Sequence, residues 1–487
     1  MPKGKSTKLY GSFVVAEGRQ VFGDVHIQGA ATTLTLKDRG YFLTPEDSKH
    51  IFGSCGTGKK ISCIECHHSA MGMAGQGDAQ YTEMFPHFVL VGPQHVDPAS
   101  KVVTNVSFST TDLNELFYDH TAFGVILDAA SIMDTVLAEP RKYRPIDVGE
   151  LPEVHYYTGK LTAIDVDTPI GKVEVGFERT TRMGAADGPK VKNVRRLSFS
   201  PTEPITFARA INQIMALRRF LSMVAGRPQK IRAIRIRTSA DSAKSESTKV
   251  YWSYDPKGPC GDLHKPSSFD RLLNPIKRPD EFSTIVQNWL VREPDMKVAR
   301  VRFIGCMEKG DRYDMDRIVA AANMFDLLPA GACPVDVELT PELAAFRQQA
   351  LQSLAELPQS HHRDRVKGDI SRMARPSLAD KVIHRWVFAC KDISDLFPEM
   401  EYVLRQAVKC RNHFVHGGGG FKYDRAEPFV SFLTDALEFV FSFADLVEAG
   451  WSAQRWAQGN NSDGHMFGRF RRAYPEMSKE FKAAMCR

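Results

Sequence analysis

Apolar and polar residues alternate along the first quarter of the chain in the way that half-buried strands require. Val25 and Ile27 alternate with His26 and Gln28, and the same period of two recurs over residues 33–37. Successive side chains of a strand point to opposite faces, so this alternation predicts strands with one buried face. Glycines separate the segments as turn residues do, at positions 11, 18, 23, 29 and 40.

Strand-like segments continue to about residue 237, with one helix among them. The predicted strands cover residues 154–157, 160–164, 172–177 and 231–237, and the polar stretch 180–192 indicates a loop. A helix fits residues 205–224, because its apolar positions form one stripe that ends before Gly226 and Pro228. Helical periods return over residues 279–328.

Beyond residues 331–334 the pattern is helical throughout. Thr340, Pro341 and Glu342 have the chemistry of an N-cap, a first helical residue and a first-turn acid. The predicted helices cover residues 343–357, 378–397, 400–415, 428–451 and 467–484, and short loops between helices are typical of a bundle. The sequence therefore predicts an α+β protein. Residues 1–334 form a β-rich mixed domain, with room for two subdomains, and residues 335–487 form an all-α domain.

Composition supports a globular protein of several domains. The 487 residues are 43% hydrophobic and 25% charged, and this length predicts about two to four domains. The net charge of +6 is too small to indicate nucleic-acid binding by itself. Basic residues cluster at 363–385 and 469–472, and each cluster could either attract a phosphate backbone or be a solvated helix face. No signal-peptide-length apolar run follows the basic start, and the most apolar stretch, residues 429–451, contains four acids. We expect a cytoplasmic protein without a membrane contact.

Three of the nine cysteines lie close together beside two histidines. Cys63 and Cys66 have the spacing of a zinc knuckle, and Cys55 with His67 or His68 could complete a tetrahedral shell. The hypothesis is a structural zinc in a Cys/His loop near residues 55–68. The alternative is a mobile loop with free thiols.

The glycines of the same region nearly spell a phosphate-binding loop over residues 53–60. Lys60 stands where Ser or Thr would ligate magnesium, and neither a buried strand before the segment nor a helix after it is predicted. A nucleoside triphosphate site is therefore disfavoured.

The most informative chemistry lies near residue 411, where a helix runs into four glycines. Arg411 offers a permanent cation for phosphoryl oxygens, and His416 exchanges protons near neutral pH. Asn412 and His416 are four residues apart and share a helix face, so we expect Asn412 to orient the His416 ring. Arg411 lies off that face unless the last turn unwinds, which Gly417 and the glycines after it would permit. The alternative is a helix-end cation beside a surface histidine.

The Arg411-Asn412-x3-His416 pattern, at the end of a helix in an all-helical domain, resembles the motif of the HEPN ribonuclease superfamily. The N-terminal part is similar to the β-rich domain of ApeA-type abortive-infection proteins, notably over residues 11–38, 108–119 and 207–237. The resemblance touches both halves of the chain.

This resemblance implies an anti-phage protein whose N-terminal sensor restrains a HEPN endoribonuclease until a phage-derived trigger releases it to cut host RNA, often transfer RNA. It implies that Arg411 and His416 are the catalytic pair, that Asn412 is their polar neighbour, and that catalysis needs no cofactor. It also implies a cleft between two protomers of a homodimer or larger homo-oligomer. The surplus of phenylalanines over residues 429–451 agrees with a second packed face there. The alternative function is a non-catalytic RNA-binding, nucleotide-binding or protein-interaction module with a structural zinc loop.

Overall fold

The computed structural model describes residues 6–486 except 16–17, 40–48, 74–78, 183, 185, 187, 242–245, 260, 262, 337, 418–420 and 460–462. The contacts divide the chain into two compact units. The first comprises Met1–Arg218, Gln229–Gly258 and Pro266–Ser283, and the second comprises Arg219–Pro228, Pro259–Lys265 and Thr284–Arg487. The sequence placed its boundary at residue 334, whereas the contacts assign the helices from residue 284 onward to the second unit.

The first unit is built mainly from antiparallel strands. Their bounds are β1 Thr7–Val14, β2 Gln20–Ile27, β3 Thr33–Arg39, β4 His50–Cys55, β5 Lys60–Met73, β6 Ala79–Gly92, β7 Val103–Thr110, β8 Phe123–Ile126, β9 Val154–Tyr157, β10 Thr162–Thr168, β11 Gly171–Arg182, β12 Lys190–Ser200, β13 Ile231–Thr238 and β14 Thr248–Trp252. Three of the described helices lie wholly or mostly in this unit: α1 Leu113–Leu116, α2 Ala130–Arg141 and α3 Phe207–Ala225.

Six of the described strands close into a barrel. The strand order β6-β3-β2-β1-β4-β5 returns to its start because β5 also pairs with β6. The alternation seen in the sequence sets the register. Val25 lies opposite Leu34, which lies opposite Met84 on its other side, and all three are fully buried in the barrel. Closure removes the open edges that this sheet would otherwise present.

An open sheet continues from the barrel through the second half of β6. There β14 takes the place of β3 beside β6, and the order runs on through β13, β7, β12, β11 and β10. Strands β8 and β9 form a separate two-stranded sheet. The two ends of the predicted loop at residues 180–192 are strand, since β11 and β12 pair as far as Arg182 and Lys190. Their polar composition reflects exposure, because residues 180–182 and 190–192 are exposed.

The second unit is helical. Its helices are α4 Pro279–Val291, which begins in the first unit, then α5 Glu293–Met307, α6 Met315–Asp326, α7 Pro341–Glu356, α8 His361–Ser371, α9 Leu378–Cys390, α10 Met400–His416, α11 Tyr423–Ala426, α12 Val430–Glu448, α13 Ala453–Gln458 and α14 Met466–Cys486. The β-rich N-terminal and helical C-terminal parts confirm the predicted α+β class.

Helix α12 is the centre of this unit and packs against α6, α9, α10 and α14. Phe432, Phe439 and Phe443 share one side of the helix and Phe441 lies on the opposite side, and each of the four is at most 4% exposed. The surplus of phenylalanines is therefore used within one chain, and the expectation that a second face of this helix meets another subunit is wrong. A helix that is apolar all round is a core helix.

Candidate functional site

The apolar pattern of α10 places Arg411 at the edge of the helical core. The buried positions Met400, Leu404 and Ala407 follow one another at intervals of four and three, and Arg411 is the next position on that stripe. Arg411 is therefore half-buried, whereas His416 and Asn412 are exposed. The stem of the arginine packs on the core while its guanidinium reaches the surface.

The guanidinium lies beside the imidazole that the sequence paired with it. Arg411 Nη1 is 3.5 Å from His416 Nε2 and donates a 2.9 Å hydrogen bond to Asn412 Oδ1. The structure thus brings all three predicted site residues together at the exposed end of α10.

Asn323 of α6 is the site residue that sequence reasoning missed. Its Oδ1 accepts hydrogen bonds from Arg411 Nε at 3.2 Å and from Arg411 Nη2 at 2.7 Å. These bonds leave Nη1 as the guanidinium nitrogen that faces the histidine. No sequence pattern links residues 88 positions apart, and only the packing of α6 against α10 reveals the contact.

Two expectations about the local geometry are wrong. Asn412 does not orient the His416 ring, because its Oδ1 accepts from Arg411 instead. The last turn does not unwind, since α10 stays helical through His416. Arg411 reaches the histidine because its side chain is long enough to span the difference in direction around the helix.

Gly417 ends the helix in the way that glycine favours. Its φ of 64° and ψ of 27° are left-handed, and its N–H donates to the carbonyl of His413 at 3.0 Å. The remaining glycines, 418–420, lie outside the described residues. The chain next packs back on the helix through Tyr423, whose ring stacks on His413 at 5.1 Å with an interplanar angle of 9°.

Buried charge pairs hold the helices that carry the site. Asp445 of α12 accepts from Arg300 Nε at 2.8 Å and Nη2 at 2.9 Å, and both residues are fully buried. Glu438 of α12 similarly receives two hydrogen bonds from Arg317 of α6. Because α6 also carries Asn323, the second pair fixes the helix that positions Arg411. Loss of one partner would leave an uncompensated charge in the core.

A third acid on α12, Asp435, has a raised pKa. Burial, reinforced by the nearby Glu438, raises the pKa of Asp435 to about 7. The Tyr313 hydroxyl lies 2.8 Å from Asp435 Oδ1. This acid lies away from the contacts of Arg411 and His416 described above.

The cysteines of the predicted zinc loop lie instead on paired strands. Cys55 ends β4, and Cys63 and Cys66 lie along β5 with their side chains in the barrel core. Glu65 between them has a left-handed φ of 52°, so the strand is kinked there, and both thiols face the core although residues three apart in a regular strand point to opposite sides. Burial raises the pKa of the Cys63 thiol well above its ordinary value and that of Cys66 to about 12, which disfavours the thiolates that zinc needs.

The two histidines do not complete a zinc shell either. His67 and His68 follow on β5, and His67 is exposed while Cys66 is buried. Across the described part of the chain, no three His, Cys, Asp or Glu side chains come together in a group that could hold a metal ion. The residues therefore do not fit the structural zinc site that their spacing indicated.

Residues 53–60, whose glycines resemble a phosphate-binding loop, form part of the β4–β5 hairpin.

Part of the basic stretch at residues 363–385 is committed to contacts within the chain. Arg385 is buried and donates to Glu448 at 2.7 Å, Lys381 pairs with Asp326, and Arg372 pairs with Asp369.

Among the described residues, no helix combines the length and the apolar composition that a membrane span needs.

Comparison with known families gives two matches. The family model described as ApeA N-terminal domain 1 matches residues 8–289, and the one described as Apea-like HEPN matches residues 319–455. The second match contains Asn323, Arg411, Asn412 and His416. No curated protein and no solved structure shows significant similarity to the chain. Because the first match alone covers more than half of the 487 residues, the chain belongs to the ApeA family and carries a HEPN domain.

Proposed function

We propose that this protein is an anti-phage abortive-infection ribonuclease whose HEPN domain cleaves host RNA, foremost transfer RNA, after a phage-derived trigger releases it. The two family matches support an anti-phage defence HEPN protein. The observation that carries the proposal is the 3.5 Å approach of Arg411 Nη1 to His416 Nε2 at an exposed helix end. A fixed cation beside a titratable imidazole is suited to phosphodiester chemistry.

The reaction is an attack of the ribose 2′-OH on the adjacent phosphorus. A base removes the 2′ proton as the new P–O bond forms, and the bond to the 5′-oxygen breaks as that oxygen takes a proton from an acid. The products are a 2′,3′-cyclic phosphate and a 5′-OH. Arg411 stabilises the charge that grows on the phosphoryl oxygens, and Asn323 and Asn412 hold the guanidinium in place.

Acid and base are both needed in one turnover, and His416 supplies one imidazole per chain. Two copies of the chain that face each other across a shared cleft would provide both groups. We therefore propose that the active species is a homodimer or a larger homo-oligomer. Catalysis in this scheme uses side chains of the protein and no cofactor.

The test is cleavage of labelled transfer RNA and of an unstructured RNA by the purified chain in EDTA. We expect products that end in cyclic phosphate, and losses of at least about a hundredfold in Arg411→Ala and His416→Ala, since general acid–base catalysis is worth about 10²–10⁴. Arg405→Ala is the matched control, because Arg405 is an exposed arginine on the same helix and should cleave like wild type.

If His416→Ala cleaves RNA as fast as wild type, His416 is not a catalytic residue. RNA binding without cleavage by the wild-type chain, in the presence of its trigger, would favour the non-catalytic binding module instead. Phage challenge of bacteria that express wild type or His416→Ala separates defence by cleavage from defence by binding. Only the wild type should protect and accumulate cut RNA.

A further inference from the structure

The α7–α8 hairpin, residues 341–371, is the part of the helical unit that lacks a core. None of the residues in α7 or α8 is buried. The helices are nevertheless well formed, with Thr340 and Ser360 as N-caps. Arg347 Nη2 donates to the Ser371 carbonyl at 2.8 Å and ties the two helices together.

Both helices of the hairpin carry an apolar stripe with heptad-like spacing. Five apolar residues of α7 and its C-cap are separated by three, four, four and three residues, and three in α8 and the turn after it by four and three (Leu343, Phe346, Ala350, Leu354, Leu357; Val366, Ile370, Met373). Such spacing is typical of helices that associate along one seam. Two helices alone cover only part of such a seam. Leu343, Phe346, Leu357 and Val366 accordingly remain 45–56% exposed.

We infer that a second copy of this chain covers the exposed face of the α7–α8 hairpin. Two hairpins related by a twofold axis place α7 of one copy on α8 of the other and complete a four-helix bundle. The charges are compatible with that pairing. Two acids and one base give α7 a net charge of −1, and three bases and two acids give α8 a net charge of +1 with neutral histidines.

The size of the face sets the strength of the contact. Sixteen residues of α7 extend about 24 Å, and two helices side by side are about 20 Å wide, so the face is on the order of 400 Å² after allowance for the shorter α8. A standard interface buries about 800 Å² per partner. The hairpin therefore gives a concentration-dependent dimer rather than an obligate one. The inference rests on the proposed function only in that a shared cleft requires a second copy.

The experiment is sedimentation velocity of the full chain from about 0.5 to about 50 μM, a range that detects dissociation constants near micromolar. Val366→Glu places a charge in the seam, and Val298→Glu makes the same change at an exposed position of α5. We expect the wild type and Val298→Glu to sediment faster as concentration rises. Val366→Glu should weaken the dimer at least about tenfold, with an unchanged circular dichroism spectrum. Phe346→Ser tests the other helix of the seam.

A wild type that stays monomeric throughout this range would overturn the inference, and so would Val366→Glu that associates as tightly as Val298→Glu. RNA cleavage by the same samples keeps the two proposals separate. If Val366→Glu is monomeric and cleaves at the wild-type rate, the hairpin contact is supported and the proposal of a shared cleft is refuted. If the wild type is dimeric and never cleaves RNA, the hairpin contact is again supported and the proposal of a ribonuclease is refuted.

Discussion

Replacement of Asn323 by alanine tests whether the Arg411 guanidinium is positioned from a second helix for the proposed RNA cleavage. Asn323 Oδ1 accepts two hydrogen bonds from Arg411, at 3.2 and 2.7 Å, and its loss leaves Asn412 as the amide that still holds the arginine. A hydrogen bond to a charged group contributes about 1.5–3 kcal/mol. Because both bonds share one acceptor, we take a single value of about 2 kcal/mol. At about 1.4 kcal/mol per factor of ten, kcat should fall about thirtyfold.

The assay is single-turnover cleavage of labelled RNA, with urea unfolding as a check on stability. KM should change little, since Arg411 acts on charge that develops in the transition state. Asn323→Asp is the matched control, because its carboxylate keeps an acceptor at the same position and should restore most of the rate. An Asn323→Ala chain within about twofold of wild type would refute the positioning role. So would an Asn323→Asp chain as impaired as the alanine variant.

Three further predictions concern the parts of the chain around the site. Asp445→Ala should lower the free energy of unfolding by about 3–5 kcal/mol in urea, because the buried Arg300 loses the carboxylate that accepts two of its hydrogen bonds and keeps only that of Glu293; a change below about 1 kcal/mol would contradict this. The folded chain binds the Asp435 proton more tightly than the unfolded chain does, since burial raises its pKa to about 7. The contribution of Asp435 to stability should therefore fall as pH rises from about 4 to about 7, so Asp435→Asn should gain stability relative to wild type over that range; a difference between the two that does not change with pH counts against a raised pKa of Asp435. Cys63 and Cys66 should react with a thiol reagent only after unfolding, and the purified protein should release no stoichiometric zinc to a chromogenic chelator, whereas one zinc per chain would restore the zinc interpretation.

Local patterns predicted the elements because periodicity is a local property. The alternation over residues 25–37 became β2 and β3, and the apolar stripe over residues 205–224 became α3. The predicted helices leave out residues 358–377, yet residues 361–371 form helix α8, because a helix without a buried face has little apolar periodicity to detect. The heptad spacing of α7 could have indicated that a partner helix follows.

The zinc prediction is unsupported for a reason that spacing cannot express. A Cys-x2-Cys pair in an exposed turn can offer two thiolates to one metal, while the same pair in the core of a barrel is kept as neutral thiols by burial. Whether residues 60–68 turn or extend depends on pairing of β5 with β6, and those partners lie some twenty residues further along the chain. The phenylalanines of α12 show the same dependence on tertiary structure. Whether their side chains are buried within one chain depends on how many helices pack around α12, and the sequence of α12 alone does not contain that number.

The sequence by itself placed Arg411, Asn412 and His416 within six residues at the end of one helix, because the apolar periodicity predicts that helix and the glycines from Gly417 onward end it. Tertiary structure alone decided how they meet. Asn323, which lies 88 residues earlier on α6, accepts hydrogen bonds from two nitrogens of the Arg411 guanidinium, and the third nitrogen faces His416. Hydrogen-bond partners far apart in the chain are chosen by the packing of whole helices, and that packing is fixed by the combined core rather than by any segment read alone.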